Sequence, residues 1–258
     1  VSVPALTNNN RPTVTISATD EISGVPDGTS VYIDLDLDGD GAFTGEGETG
    51  YATTTLTGGQ ATFQPPSALT DGTYSIRARL SDFAGNEGTS SVATTSVDTV
   101  APSVTLSIPA VTNNNQPTGT IAVTDAVSGV ANGTSAYVDV DLDGDGAFTS
   151  EGEAGYATVT LTDGQATFQP TSALADGTYH VVVRASDAAG NEGTSAVSTT
   201  IIDTVKPTVT INQASNQTDP SSGSVIYFTV VFSEEVADFT SADIILGGTA
   251  LPTNVSVS

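Results

Sequence analysis

The chain contains no cysteine, methionine or tryptophan among its 258 residues, and it begins with valine. Without cysteine there are no disulfides and no thiol chemistry. An extracellular domain of this composition needs another cross-link, and a bound metal ion is the simplest one. No apolar run approaches the roughly 18 residues that a transmembrane helix needs, and no signal peptide is visible. We therefore expect a fragment or processed piece of a longer chain, without direct membrane insertion.

Positive charge is also scarce, since five basic residues face 30 acidic ones and give a formal net charge of −25. Such a polyanion is not expected to bind nucleic acid or anionic lipid. The sequence shows no phosphate-binding glycine loop and no Ser-His-Asp arrangement. The single histidine, His180, corresponds to Ser75 in the other copy of an internal repeat, so we interpret it as a strand surface residue. We predict that the protein is not an enzyme.

The internal repeat determines the domain organisation. Residues 1–98 align without a gap on residues 106–203, and 68 of these 98 positions are identical. The predicted domains are residues 1–101 and 102–206, each followed by a proline that stiffens the connection. Residues 207–258 share no register with the repeats and are short for an independent core. We interpret them as the first half of a different module, whose other half is outside this chain's boundaries or comes from another chain.

Each repeat alternates apolar and polar residues in short runs separated by Gly, Asn, Asp and Pro, which predicts about seven strands and no helix. In the first repeat the predicted strands are residues 13–17, 31–35, 51–56, 61–63, 74–80 and 91–97. The predicted fold class is all-β, with tandem immunoglobulin-like antiparallel β-sandwich domains and an incomplete third module. Tyr74 follows a tight turn, as in a tyrosine corner, where the hydroxyl bonds to nearby backbone. The alternative is an ordinary half-buried strand tyrosine.

An Asp-rich segment occurs once in each repeat, as DLDLDGDGAFTGEGETGY at residues 34–51 and DVDLDGDGAFTSEGEAGY at residues 139–156. On an extended chain these carboxylates, two residues apart, lie on one side and repel one another. The glycines that follow fold the later carboxylates back toward the earlier ones. Such an arrangement suits a hard cation with oxygen ligands.

Numbered from Asp36, the first segment has the carboxylates of an EF-hand loop at positions one, three and five and a glycine at position six. Position twelve, where an EF-hand has glutamate, is Gly47, so the closing ligand is Glu46 or Glu48. The candidate ligands are Asp34, Asp36, Asp38, Asp40, Ala42 (through its carbonyl), Glu46 and Glu48, and in the second repeat Asp139, Asp141, Asp143, Asp145, Ala147, Glu151 and Glu153. Ligand number favours calcium, Ca²⁺, over magnesium, and the absence of cysteine disfavours zinc. The alternative is an acidic hairpin without an ion.

A second group of polar residues is predicted to lie where neighbouring domains meet. It comprises Asp20, Asp82, Asn86 and Asp98 in the first repeat and Asp125, Asp187, Asn191 and Asp203 in the second. A cation bound there would fix the angle between neighbouring domains. The alternative is that these side chains cap turns through local bonds to the backbone.

Several elements in order carry a resemblance to a known family. The segments 68–86 (ALTDGTYSIRARLSDFAGN) and 173–191 (ALADGTYHVVVRASDAAGN), with the Asp-Thr-x-x-Pro junctions at 98–102 and 203–207, resemble the bacterial immunoglobulin-like repeats of giant surface adhesins. Residues 227–246 resemble another bacterial immunoglobulin-like repeat of such proteins. The resemblance implies long rows of extracellular domains stiffened by calcium, with binding activity in a terminal module. The Asp-rich segment is not a standard part of those repeats, so its ligands are assigned from chemistry alone.

These observations predict a structural spacer of a secreted or cell-surface bacterial adhesin, stiffened by calcium and extending a distant binding tip. Its partners would be neighbouring immunoglobulin-like domains of the same long chain and, in a fibre, other copies. Two alternatives stay open. One is a module that binds a carbohydrate or a surface, and the other is a filament subunit that polymerises by strand donation.

Overall fold

The computed structural model describes residues 1–220, 225–247 and 255–257. The chain divides into two compact units, residues 1–203 and 204–258. The predicted third module falls partly outside the described residues, at 221–224, 248–254 and 258. None of the helical structure in the described ranges is long and apolar enough to cross a membrane.

The first repeat contains eight strands that form two sheets. They are β1 (Leu6–Thr7), β2 (Val14–Ser17), β3 (Ser30–Leu35), β4 (Ala52–Thr55), β5 (Gln60–Phe63), β6 (Gly72–Ser81), β7 (Glu87–Thr89) and β8 (Ala93–Val97). One sheet has the order β1-β8-β6-β3-β4, with β7 also paired to β6, and the other sheet pairs β2 with β5. All six predicted strands are confirmed, with ends that agree within two residues. Pairing is antiparallel except between β1 and β8, which run parallel.

The second repeat has the same topology. Its strands are β9 (Ser103–Ser107), β10 (Val111–Thr112), β11 (Gly119–Thr124), β12 (Ser135–Asp141), β13 (Ala157–Thr160), β14 (Gln165–Phe168), β15 (Gly177–Ser186), β16 (Glu192–Thr194) and β17 (Ser198–Ile202). The larger sheet has the order β10-β17-β15-β12-β13, and the smaller sheet gains β9 as a third strand beside β11. The predicted all-β fold of tandem immunoglobulin-like sandwiches is confirmed.

The core of each repeat lies between its two sheets and follows from the alternation of residues. In β2, Val14 and Ile16 are buried while the threonine and serine between and after them are exposed. Ile33 on β3 and Ile76 on β6 are fully buried in the same cluster. Burial of one such side chain contributes roughly 1.5–3 kcal/mol. The inward residues of the central strands therefore hold the Asp-rich segment that follows β3 in place.

The described part of the unit of residues 204–258 contains one β-hairpin and one short turn of helix. Strands β18 (Val209–Gln213) and β19 (Phe228–Phe232) pair antiparallel, and a 3₁₀ turn spans Ser241–Asp243. No described residue of this unit is buried, and apolar side chains such as Ile211 and Phe228 are exposed. The assignment of this unit as half a module stays a prediction.

The tyrosine corner is confirmed in both repeats. The Tyr74 hydroxyl donates to the carbonyl of Thr70 at 2.9 Å, and the Tyr179 hydroxyl donates to the carbonyl of Ala175 at 3.1 Å. Both rings are buried. Each corner therefore fastens the turn before the long central strand to the strand itself.

We expect Tyr179→Phe to lower the free energy of unfolding by about 1 kcal/mol, because it removes one buried hydrogen bond and leaves the ring in place. The matched control is Tyr137→Phe, at an exposed tyrosine of β12, which should change stability by less than about 0.5 kcal/mol. Urea denaturation of the full chain measures both. Equal effects at the two positions would contradict the corner's role.

Candidate metal centres

The first Asp-rich segment curls around the carboxylate of Asp36, directly after β3. Asp36 Oδ1 accepts a hydrogen bond from the backbone of Gly39 at 2.7 Å, and Oδ2 accepts one from Gly41 at 3.0 Å. These glycines have φ angles of +75° and +82°, which side-chain-bearing residues rarely adopt. The Asp-Gly-Asp-Gly sequence is therefore what allows the chain to wrap around one carboxylate.

Glu48 closes this loop from its far end. Its Oε1 accepts from the backbone N–H groups of Leu37 at 2.9 Å and Asp38 at 3.3 Å, and its Oε2 accepts from Gly45 at 2.7 Å. Glu48 is only 1% exposed, whereas Glu46 lies on the surface. The structure thus brings Glu48 rather than Glu46 against the first turn of the loop.

The second repeat reproduces this arrangement. Glu153 accepts from the backbone of Leu142 and Ser150 and is buried, and Glu151 is exposed. Asp141 accepts from the two glycines that match those around Asp36. Because the loops agree in detail at an offset of 105 residues, we treat them as one site present twice.

The carboxylates within each loop converge to distances that fit a single ion. In the first repeat, oxygens of Asp36, Asp38 and Asp40 lie within 4.8 Å of one another; in the second, the set is Asp141, Asp143 and Glu153. Two oxygens bound to one calcium ion at 2.3–2.6 Å are separated by at most about 5 Å. Each group offers only oxygen ligands, at a spacing that one calcium ion can bridge.

Burial strengthens the electrostatic argument for an ion. Asp36 is 2% exposed and Glu48, in the same loop, is 1% exposed, and a buried carboxylate without a cationic partner is costly. The ion pairs of Arg77 and Arg79 go to Asp34 and Glu87. The remaining predicted ligands form the outer turn of each loop. There the N–H groups of the partly buried Ala42 and Ala147 donate to the exposed carboxylates of Asp40 and Asp145.

Asp34 and Asp139 are predicted ligands that the structure places in a different role. Asp34 is fully buried and accepts from Arg77 Nε and Arg79 Nε, both at 2.8 Å, and from the Gly50 backbone. Burial alone would raise the pKa of Asp34, but the bonds from Arg79, Gly50 and Arg77 outweigh it and lower the pKa to about 2. Asp139 is held in the same way by a forked pair with Arg184. The arginine partners lie on the neighbouring strands β6 and β15. Arg77 is paired directly with Asp34, whereas Arg79 and Arg184 reach the aspartates from positions two residues along the strand, opposite Tyr32 and Tyr137.

His180 lies next to the second loop, which the sequence reasoning missed. Its Nδ1 is 3.1 Å from Oδ2 of Asp141, because β12 and β15 pair these two residues in register. The hydrogen bond from His180 is the main reason why the pKa of Asp141 is lowered. Only the pairing register could have revealed this contact, since the two residues are 39 positions apart in sequence.

The junction between the repeats gathers carboxylates from both sides. Oxygens of Asp98, Asp125 and Asp187 lie within 4.8 Å of one another, and Asp98 and Asp187 are buried. Asp98 Oδ2 accepts from the backbone of Ser128 at 3.0 Å, and the Asp98 carbonyl accepts from Asn191 Nδ2 at 2.9 Å. Four of the predicted junction residues thus meet at one place.

The other predicted junction residues lie elsewhere. Asp20, Asp82 and Asn86 are at the opposite end of the first repeat, where Asp20 caps the turn at residues 22–24 and Asn86 bonds to Asp82. Asp203 ends the first unit, and its N–H donates to the carbonyl of Thr112. Asp125 also caps its own turn. Turn capping and convergence at the junction, the two alternatives for this group, therefore both apply to Asp125.

Comparison with known families assigns the repeats. The model of a bacterial immunoglobulin-like domain matches residues 2–99 and again residues 107–204. The chain belongs to the bacterial immunoglobulin-like domain family. A model of the group 3 bacterial immunoglobulin-like domain also matches residues 163–258. No curated protein matches the chain significantly.

Solved structures similar to these immunoglobulin-like repeats include two adhesins. A tetra-tandem repeat in the extending region of a large adhesion protein is 22% identical, with a TM-score of 0.35 over 83% of this chain and 51% of that one. A structure of a 1.5-MDa bacterial ice-binding adhesin is 19% identical, with a TM-score of 0.40 over 82% and 65%. Fibronectin(III)-like modules of Clostridium thermocellum CbhA are 16% identical, with a TM-score of 0.38 over 78% and 92%. This chain spans about half the length of the tetra-tandem adhesion-protein repeat. The likeness to these structures concerns the fold alone.

The arginine-bound aspartate of the first immunoglobulin-like repeat predicts a specific loss of stability in acid. The folded-state pKa of Asp34 is about 2, below its ordinary value of 3.8, so its contribution is complete above about pH 4 and is lost as the pH falls toward 2. We expect Asp34→Asn to cost on the order of 2 kcal/mol at neutral pH. The difference from the unmodified protein should shrink between pH 4 and pH 2, as measured by urea denaturation. A difference independent of pH would contradict this assignment, and Glu46→Gln, on the surface of the same repeat, is the control.

Proposed function

We propose that this chain is a calcium-stiffened spacer of an extracellular bacterial adhesin. In this role one calcium ion binds in each Asp-rich loop, and a further ion binds where the two repeats meet. The observation that carries the proposal is the convergence of Asp98 from the first repeat with Asp125 and Asp187 from the second. A ligand set contributed by two domains links ion binding to the angle between them. The setting that we propose is the extending region of a large adhesion protein, which is the source of one of the similar structures.

In the loops, the residues that would hold the ion are Asp36, Asp38, Asp40 and Glu48, with Asp141, Asp143, Asp145 and Glu153 as their counterparts. The ion supplies the positive charge that these carboxylates otherwise lack. The chain itself supplies their positions, because backbone N–H groups already orient Asp36 and Glu48. Ion binding is therefore expected to require little rearrangement of these two side chains.

The same reasoning applies at the junction, where each member of the cluster is oriented by its own repeat. Asp125 accepts from the turn at residues 127–129, and Asp187 accepts from Asn191. Three carboxylates this close repel one another, so without a cation the repeats would separate more easily. A bound cation would attract all three carboxylates and so hold the two repeats together. This attraction is the physical basis of the proposed stiffening of the junction.

Duplication favours a spacer over a single recognition module. Two repeats with the same loops and the same topology add length and repeat the ion sites. A carbohydrate or surface-binding module stays an alternative, as does strand donation by the unit of residues 204–258. The exposed apolar side chains of β18 and β19 are the observation that keeps strand donation open. No catalytic residue is part of the proposal.

Calcium should raise the melting temperature. Substitution of the loop glutamates should show which of them bind the ion and which do not. Extracellular calcium modules bind with Kd about 10⁻⁴–10⁻³ M, and an ion at 100 times its Kd stabilises the folded state by about 2.7 kcal/mol. We expect Glu48→Gln with Glu153→Gln to weaken binding at least about tenfold in calorimetric titration. The matched pair Glu46→Gln with Glu151→Gln removes the same charge from the exposed side of each loop and should leave affinity nearly unchanged. Equal losses in the two pairs would reject Glu48 and Glu153 as closing ligands.

Substitution of one exposed aspartate in each loop should remove most of the calcium effect on stability. We expect Asp38→Asn with Asp143→Asn to reduce the difference in melting temperature between calcium and chelator, because each loop loses one ligand charge. Strand content, measured by circular dichroism, should stay the same in chelator. An unmodified protein that melts at the same temperature in calcium and in chelator would overturn the proposed ion sites.

The junction should control the separation of the two repeats. We expect Asp98→Asn to weaken the link, so that small-angle scattering in calcium resembles that of the unmodified protein in chelator. Asp71→Asn, at a partly buried aspartate that bonds to Thr99 rather than to the second repeat, is the control for loss of charge near the linker. Scattering curves of the unmodified protein that do not change with calcium would contradict stiffening at this junction.

A further inference from the structure

The outer face of the larger sheet carries the same row of side chains in both repeats. In the first repeat Tyr32 on β3 is paired with Thr53 on β4 and with Arg79 on β6, and Arg79 is paired in turn with Thr89 on β7. We call these four residues the tyrosine row. The tyrosine row of the second repeat consists, in the same pairing, of Thr158, Tyr137, Arg184 and Thr194. Each row therefore crosses four neighbouring strands over roughly 14 Å.

The tyrosine row faces solvent. Tyr32 lies between Val31 and Ile33, which are fully buried, so its ring points outward and is 46% exposed. Tyr137 is 43% exposed, and the threonines at the ends of both rows are exposed as well. Each tyrosine is the only large apolar side chain that is exposed on the four strands of its row. Because a protein interface needs a buried apolar centre, one ring among hydroxyl groups is a poor site for a protein partner.

The arginine of the first row is fixed from two sides. Arg79 Nε and Nη2 donate to Asp34 at 2.8 and 3.0 Å, and its Nη1 is 3.5 Å from Oε2 of Glu87. Its guanidinium carbon is 5.9 Å from the ring centroid of Tyr32. A guanidinium has five N–H donors, so these contacts leave N–H groups that can donate to a ligand.

The second row has the same contacts. Arg184 Nε and Nη2 donate to Asp139 at 2.7 and 3.1 Å, and its Nη1 is 3.7 Å from Oε2 of Glu192. Its guanidinium carbon is 5.7 Å from the ring centroid of Tyr137. A side chain that is already fixed loses little conformational freedom when a ligand binds. Both rows are therefore organised before any ligand arrives.

The charges around the row indicate what kind of ligand it accepts. Asp34 and Glu87 together neutralise the positive charge of Arg79, and the whole chain has a formal net charge of −25. An acidic polymer or a second copy of this chain is therefore repelled. An uncharged ligand rich in hydroxyl groups is not repelled, and it can both donate to and accept from the threonines, the arginine and the glutamate.

We propose that the tyrosine row of each repeat binds an uncharged polysaccharide, with one sugar ring stacked on Tyr32 or on Tyr137. The C–H groups on one face of a sugar ring carry partial positive charge, and they pack against the negative face of an aromatic ring. Hydroxyl groups of the stacked sugar would accept from the remaining N–H groups of the arginine. Neighbouring sugars would reach the threonines at the ends of the row. The inference uses none of the residues that would hold calcium, so it does not depend on the proposed function.

The test is titration of the full chain with oligosaccharides, followed through the backbone amide signals in nuclear magnetic resonance spectra. The probes are cellohexaose and maltohexaose, two uncharged glucose oligomers with different linkages, and hexagalacturonate as an acidic counterpart. We expect at least one uncharged probe, at millimolar concentration, to shift the signals of Tyr32, Arg79, Tyr137 and Arg184. No shift at either row with both uncharged probes would overturn the proposal, and so would equal shifts with the acidic probe.

Substitution of the tyrosines separates stacking from other contributions. We expect Tyr32→Ser with Tyr137→Ser to weaken the affinity for the binding probe about tenfold, because the apolar ring contact is lost. The matched pair Tyr32→Phe with Tyr137→Phe keeps both rings and should change the affinity by less than about threefold. Equal losses in the two pairs would contradict stacking. Circular dichroism checks that the serine pair is folded.

A second set of variants covers a serine pair that does not fold. Thr53→Val with Thr158→Val keeps the side-chain shape and should weaken binding about threefold, because one hydroxyl is lost from each row. The control pair is Thr94→Val with Thr199→Val, on β8 and β17 of the same sheets but outside the rows, and it should leave the affinity unchanged. Equal affinities of these two pairs would reject the rows as the binding surface. Binding to a protein whose melting does not respond to calcium would support this inference while rejecting the proposed function.

Discussion

Repulsion between neighbouring carboxylates is the constraint on which the rest of this structure depends. A chain with six times as many acidic as basic residues cannot neutralise its buried aspartates by ion pairs alone. Asp34 on β3 and Asp139 on β12 form ion pairs with the arginines, and both aspartates are buried. Asp36 and Glu48 are instead oriented by backbone N–H groups. Dipoles of N–H groups reduce the cost of burial but add no full positive charge, which is why we propose that a cation binds in these loops.

Differences between the repeats show which contacts the Asp-rich loop keeps and which residues of the neighbouring strand can vary. The first repeat has Arg77 where the second has Val182, and Ser75 where the second has His180. The bonds from the glycines to the first loop aspartate and the contacts of Glu48 and Glu153 are the same in both. The loop is thus fixed by its own sequence, whereas the adjacent strand has changed the residues that border it.

Most of the fold could be predicted because the strands that carry the core have a regular alternation, as in Val14 and Ile16 of β2. The tyrosine corner could be predicted for a similar reason, since its turn and its strand are adjacent in sequence. Strands β1 and β7, with two and three residues, have no period to detect. They exist because the neighbouring strands β8 and β6 offer free edges, so only the assembled sheet defines them.

For the candidate sites, the sequence by itself determined the duplication, the presence of clustered carboxylates and the glycines that let the chain turn around them. The tertiary structure decided which of these groups meet. Glu48 rather than Glu46 closes the loop, Asp34 faces arginines on β6, and Asp98 lies beside two aspartates of the next repeat. The physical reason is that residue type and spacing fix only local geometry. Contacts between residues dozens of positions apart depend on strand register and on the packing of one repeat against the next.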